Sequence, residues 1–190
     1  MEGKLLIFSA PSGSGKTTIV KHLLSKYPFL EFSISATSRP PRAGEIDGKD
    51  YYFIPSGEFQ RRIAENEFIE WEEVYADTYY GTLRSEIERI WSKGHHVVFD
   101  VDVKGGVNLK QIFGGRALSV FVQPPSIEIL RQRLVSRGTE NLESLTKRIG
   151  KATEEMTYSG KFDIIIINDK LENSLKEAES AVEQFVLNQK

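Results

Sequence analysis

The chain has 190 residues, enough for one domain with small insertions, and 39% of them are hydrophobic, enough for a real core. Its formal net charge of −2 gives no electrostatic footprint for nucleic acid, so any basic site must be local. Cysteine is absent, which excludes disulfides and thiolate metal sites, and no stretch approaches the roughly 18 apolar residues of a membrane span. A cytoplasmic enzyme is the expectation, with neither nucleic acid nor membrane as partner. The pattern does not distinguish a monomer from a homo-oligomer.

The first element in chain order is the apolar stretch Leu5-Leu6-Ile7-Phe8, read as a buried strand. The loop Ala10-Pro11-Ser12-Gly13-Ser14-Gly15-Lys16-Thr17 follows it, and then Thr18 and a helical pattern of Ile19, Val20, Leu23 and Leu24. Strand, glycine loop and helix form the context of a phosphate-binding loop. Gly13 and Gly15 let the backbone fold tightly, so that several N–H groups point at one anion. The helix N-terminus adds partial positive charge. Lys16 supplies a full charge for β/γ-phosphates, and Thr17 a hydroxyl for Mg²⁺. The strict motif has glycine where Ala10 stands, so the loop entry must avoid left-handed geometry.

Further short apolar runs read as buried parallel strands: Phe32-Ser33-Ile34, Val97-Val98-Phe99, Leu118–Val122 and Ile164–Ile167. Helical patterns between them predict an α/β fold with a parallel sheet. Ser126 is placed to N-cap a helix carrying Ile127, Leu130 and Leu134. A second helix starts at Leu142, and a last one carries a stripe from Leu171 through Val186 that predicts core packing. Residues 36–90 break the rhythm with Tyr51-Tyr52-Phe53, Phe68-Ile69-Glu70-Trp71 and Tyr79-Tyr80, which suit a small, partly antiparallel insertion. The expected organisation is a core of residues 1–35 and 91–190, an insertion at 36–90, and a short helical lid at 134–145.

Basic residues cluster at two places. In Arg39-Pro40-Pro41-Arg42 the prolines favour polyproline II, whose three residues per turn put both arginines on one face. Two guanidinium forks on a stiff element suit a phosphate monoester, and a solvated surface pair is the alternative. Arg133 and Arg137 are i and i+4 before a polar break, and Arg148 lies on the next helix. Inward arginines on a helix–loop–helix suit a lid over a transferring phosphoryl group, a charged surface hairpin being the alternative.

From about residue 4 to about residue 187 the sequence resembles the guanylate kinases. The resemblance is carried by the phosphate loop, by the run from Ser35 through Arg39-Pro40-Pro41-Arg42 to Tyr51, by Phe68-Ile69-Glu70-Trp71, by Tyr80-Gly81-Thr82 and by Arg137-Gly138-Thr139-Glu140. It implies a P-loop fold with a mixed GMP-binding insertion and a short helical lid. It also implies that Glu70 reads guanine with Ser35 and Thr82, and that Arg39, Arg42, Tyr51 and Tyr80 grip the GMP phosphate. Chemistry explains the first role, because one carboxylate accepts from both N1–H and the 2-amino group of guanine, whereas adenine offers it a lone pair. Asp100 and Asp102 end a strand two residues apart; one suits hydrated Mg²⁺, and the resemblance places Asp102 near guanine. Sequence leaves their division of labour open. Asn168, after the last strand, falls where the family contacts adenine.

The expected reaction is transfer of the ATP γ-phosphoryl group to GMP or dGMP, with Mg²⁺ as cofactor and Lys16, Arg39, Arg133, Arg137 and Arg148 as the catalytic cations. Two alternatives are a non-catalytic guanylate-kinase-like module that binds phosphopeptides, and a related kinase with another phosphorylated acceptor. Lys16 and Thr17 speak against the first; Glu70, Ser35 and Thr82 speak against the second.

Overall fold

A computed structural model describes residues 3–136 and 142–187. The strands are β1 (Leu5–Ser9), β2 (Leu30–Phe32), β3 (Ala36–Thr37), β4 (Tyr52–Phe53), β5 (Phe68–Tyr75), β6 (Thr78–Leu83), β7 (His96–Asp100), β8 (Ala117–Gln123) and β9 (Ile164–Ile167). The helices are α1 (Lys16–Lys26), α2 (Ser56–Ala64), α3 (Arg84–Ser92), α4 (Val103–Phe113), α5 (Ile127–Ser136), α6 (Leu142–Met156) and α7 (Leu171–Val186). Five strands make a parallel sheet in the order β2-β7-β1-β8-β9, flanked by helices. A separate mixed sheet runs β4-β3-β6-β5. The chain divides into two compact units, one of Met1–Gly3 with Phe29–Val97 and one of Lys4–Pro28 with Val98–Lys190.

The parallel sheet follows from unbroken apolar runs. Every residue of β1 is buried, and it pairs with β8 in the register Leu5↔Ala117 through Ser9↔Phe121. β8 in turn pairs with β9, Val120↔Ile164 through Gln123↔Ile167. Ile164–Ile167 departs from the expected double-sided burial, because Ile165 and Ile167 are exposed. β9 sits at the sheet's edge, and one of its faces lacks helical cover among the described residues. The last helix departs at its start, where Leu171 is exposed and Ser174 is buried instead. The expected strand at Phe32–Ile34 forms two residues earlier, over Leu30–Phe32. The Ile34 N–H is taken by the Glu86 carboxylate at 2.9 Å, so the ladder ends before it.

The mixed sheet has its own core of Ala36, Ile54, Phe59, Phe68, Tyr79 and Leu83, with Phe59 stacked on Phe68 at 4.3 Å. Complete burial of a phenylalanine such as Phe59 is worth about 2–3 kcal/mol. β3 pairs parallel with β4 and antiparallel with β6, and β5 pairs antiparallel with β6. Gly81 is required at the centre, since a Cβ there would lie 2.6 Å from the Glu70 carbonyl oxygen. In the other unit, α5 and α6 share a cluster of Leu130, Leu134, Leu145 and Ala152. The Ser126 hydroxyl accepts from the Ile129 N–H at 3.2 Å and so caps the start of α5.

Candidate active site

β1 delivers the chain into the phosphate loop, and α1 takes it away. Gly13 and Gly15 hold φ of +93° and +92°, the left-handed region that glycine enters without strain. Ala10 is not among the positive-φ residues, so its methyl group is tolerated. The Ser14 N–H donates to the Pro11 carbonyl at 3.1 Å and closes the turn. Gly15 caps α1, with the Thr18 N–H donating to its carbonyl at 3.1 Å. Asn168 braces the loop from beyond β9, its side-chain amide donating to the Ser14 carbonyl at 2.7 Å. A Cβ on Gly15 would fall 2.2 Å from that amide nitrogen, so the position excludes side chains by space as well as by φ.

The cations and acids around the loop are already partnered. Lys16 forms an ion pair with Asp100 and donates to the Val101 carbonyl at 3.2 Å. Asp102 N-caps α4, accepting from the Gly105 N–H at 2.7 Å. Ser9 donates to the Asp102 carbonyl at 3.0 Å, which ties the end of β1 to this acidic segment. The Arg148 guanidinium donates to the Ser12 hydroxyl at 3.0 Å. Loop, acids and α6 enclose a cavity of about 370 Å³, lined among others by Lys16, Thr17, Asp100, Arg148, Lys151 and Glu155. A second cavity of about 330 Å³ lies between Gly13, Gly15, Thr18, Arg133, Ser136, Asn168, Asp169 and Leu171. There Arg133 donates to the Asn168 carbonyl at 2.8 Å. Arg137, the remaining expected cation, lies outside the described residues.

In the unit of Phe29–Val97 five of the expected acceptor-site residues form two contact groups at the mixed sheet, Glu70 with Thr82 and Arg39 with Tyr80 and Tyr51. The Thr82 hydroxyl donates to Glu70 at 2.8 Å, the two residues facing each other across β5 and β6. Tyr80 stands two residues along β6, hence on the same face as Thr82. Its hydroxyl accepts from the Arg39 Nε at 3.0 Å. Arg39 also lies over the Tyr51 ring, 4.9 Å from its centroid, and Tyr51 meets Tyr80 edge-on at 6.0 Å. Arg42 is exposed, and Ser35 is half-buried with its carbonyl accepting from the Tyr52 N–H at 2.9 Å. Asp102 belongs to the other unit, where it lines the loop cavity.

Three carboxylates of consequence escaped the sequence reading. Glu45 takes Arg39 in both arms of its fork, at 2.6 and 2.7 Å, and accepts from the Arg42 N–H at 2.7 Å. The Arg39 hydrogen bonds hold the Glu45 carboxyl down at about 2. Glu86 is buried and accepts from Ile34 N–H, the Tyr52 hydroxyl and Arg89. Burial alone would push its carboxyl up, but Arg89 and the two other donors outweigh that and leave it lowered. Glu155, on α6, is 8% exposed, and burial pushes its carboxyl up. The glycine turn Arg42–Glu45 was the only sequence signal for the first; nothing marked the other two.

Residues 2–185 match the family model described as Guanylate kinase. A guanylate kinase of Bacteroides thetaiotaomicron is 55% identical over 186 residues, covering 98% of this chain and 91% of that protein. One of Porphyromonas gingivalis is 50% identical over 184 residues, covering 96% and 98%. The crystal structure of guanylate kinase from Anaplasma phagocytophilum superposes with a TM-score of 0.74 at 27% identity, covering 98% of this chain and 88% of that one.

Proposed function

We propose that this chain, which belongs to the guanylate kinase family, transfers the γ-phosphoryl group of ATP to GMP or dGMP, giving ADP and GDP or dGDP. The observation that carries the reading is the face of the mixed sheet where Glu70 is held by Thr82 and Arg39 by Tyr80. A carboxylate for guanine and a guanidinium for a phosphate there form one acceptor site. Residues 36–90 are the proposed acceptor insertion, and 134–145 the proposed lid, part of which lies outside the described residues.

The attacking atom is an oxygen of the GMP phosphate, already largely dianionic at neutral pH because its second pKa is about 6. No general base is required, so the protein's task is alignment and charge neutralisation. The loop amides and α1 take the ATP phosphates, and Lys16 exchanges Asp100 for phosphate oxygen. Arg148 at Ser12, Arg133 and Arg137 supply further positive charge around the donor, while Arg39 and Arg42 hold the acceptor phosphate. Asn168 acts by bracing the loop near the nucleoside end of ATP.

The residues fit Mg²⁺: the Thr17 hydroxyl and Asp100 carboxylate are hard oxygen donors in one cavity. No cluster of three or more acidic or histidine side chains among the described residues suits a metal. That agrees with an ion completed by water and phosphate oxygens rather than a protein cage. When bound, the ion would neutralise charge on the β- and γ-phosphates.

A coupled ADP-release assay with ATP and a panel of GMP, AMP, CMP and UMP tests the reading. Turnover is expected with GMP alone at high efficiency; no turnover with GMP, or equal turnover with AMP, overturns it.

A further inference from the structure

Resting on the reading above, we propose that Lys151 is a further binding residue for ATP, contacting its terminal phosphate, and that Glu155 positions the Lys151 ammonium for that contact. Arg148, Lys151 and Glu155 follow each other at i, i+3 and i+7 on α6, and all three line the loop cavity. Their charges complete a balance within its wall, where Lys16, Arg148 and Lys151 stand against Asp100, Asp102 and Glu155. A carboxylate in the wall of a polyanion site repels the ligand unless a cation answers it. Glu155 is 8% exposed, and Lys151 lies 3.7 Å from it with a side chain 68% exposed.

Helix stability does not account for this pair. Lysine preceding glutamate at i,i+4 is the less favourable order, and the exposure of the Lys151 end limits what the pair contributes to the helix. Nor is Lys151 committed as the other cations are: Lys16 is in contact with Asp100, and Arg148 donates to Ser12 at 3.0 Å. Glu155 shares the cavity wall with Asp102 and Lys16. Its lysine therefore lines the same cavity as Lys16, the residue that takes the β- and γ-phosphates. The flexible four-carbon stem lets the ammonium leave Glu155 for a phosphate oxygen.

Calorimetric binding of the β,γ-imido analogue of ATP and of ADP tests this in the full chain with Mg²⁺ at fixed ionic strength. Lys151→Met is expected to weaken the triphosphate analogue about tenfold and ADP less than about twofold, with Lys151→Arg restoring binding to within about threefold. Unchanged analogue binding, or equal losses for ADP and the analogue, overturns the terminal-phosphate contact. Glu155→Gln is expected to weaken the analogue about threefold in the wild-type background and, by removing a carboxylate that no cation answers, to strengthen it in Lys151→Met. Equal effects in both backgrounds overturn the positioning role. Absence of GMP turnover by the unmutated chain would sink the proposed reaction but leave these binding ratios standing as their own test.

Discussion

The two units build their proposed anion sites from different materials. Around the phosphate loop the site is backbone: two left-handed glycines, a helix start, and carbonyls gripped by Asn168, Lys16 and Ser9. On the mixed sheet the site is side chain held by side chain: Arg39 in the fork of Glu45, Tyr80 behind it, and Glu70 on Thr82. A backbone cradle is fixed by conformation and tolerates almost no added atom. A side-chain cradle is fixed by opposite charges, which the substrate must partly replace. The first should therefore fail abruptly on substitution, and the second by degrees.

The largest expected effect is on the backbone side. Lys16→Met removes the one full charge that the loop adds to its amides, and kcat should fall about a thousandfold. A loss under about tenfold would mean that the amides and arginines suffice. Gly15→Ala places a methyl group at φ +92° and 2.2 Å from the Asn168 amide nitrogen. Unfolding in urea should show a loss of about 3 kcal/mol. A neutral result would show that Asn168 can swing aside and that the cradle is softer than its geometry.

The side-chain unit should respond more gently. Glu70→Gln keeps an acceptor for one guanine donor and loses the charge, so the GMP-to-AMP ratio of kcat/KM should fall about 10- to 100-fold. An unchanged ratio would place base recognition elsewhere. Glu86→Gln leaves Arg89 without its buried partner and should cost about 1–2 kcal/mol at pH 7, discounted for the partial exposure of Arg89. The folded carboxyl lies below its unfolded value of 4.5, so its stabilisation is complete above about pH 4.5 and is lost as pH falls through the folded value. Thermal melts of the two proteins should converge in acid; a constant gap down to pH 3 would show that the carboxylate's charge is not what stabilises.

The same contrast governs how much the sequence revealed. The loop, β1 and α1 were legible because a short motif encodes a backbone conformation, and Ser126 was legible because a helix cap is local. Of the proposed acceptor residues, Arg39 was marked by the Arg39-Pro40-Pro41-Arg42 run itself, whereas Tyr80, Glu70 and Thr82 were singled out only through resemblance to a family. What propensity and motif could not show were the counter-charges. Glu45 lies six residues from Arg39, hinted at only by the turn between them, and Glu86 binds Ile34 from a helix 52 positions on, a contact that no local pattern encodes. The edge position of β9 was hidden for the same reason: four isoleucines look alike in sequence whether a helix covers them or not.

The Asn168 brace has a consequence for the life of the chain before it is complete. The phosphate-loop motif ends at Thr17, but the amide that fixes its shape arrives 154 positions after Ser14. A ribosome will have exposed the whole motif long before it has made the residue that holds it. During synthesis, and in any fragment cut short of residue 168, the motif is present while its brace is missing. Nucleotide affinity in such a chain should therefore depend on completion of the last strand as well as on the motif.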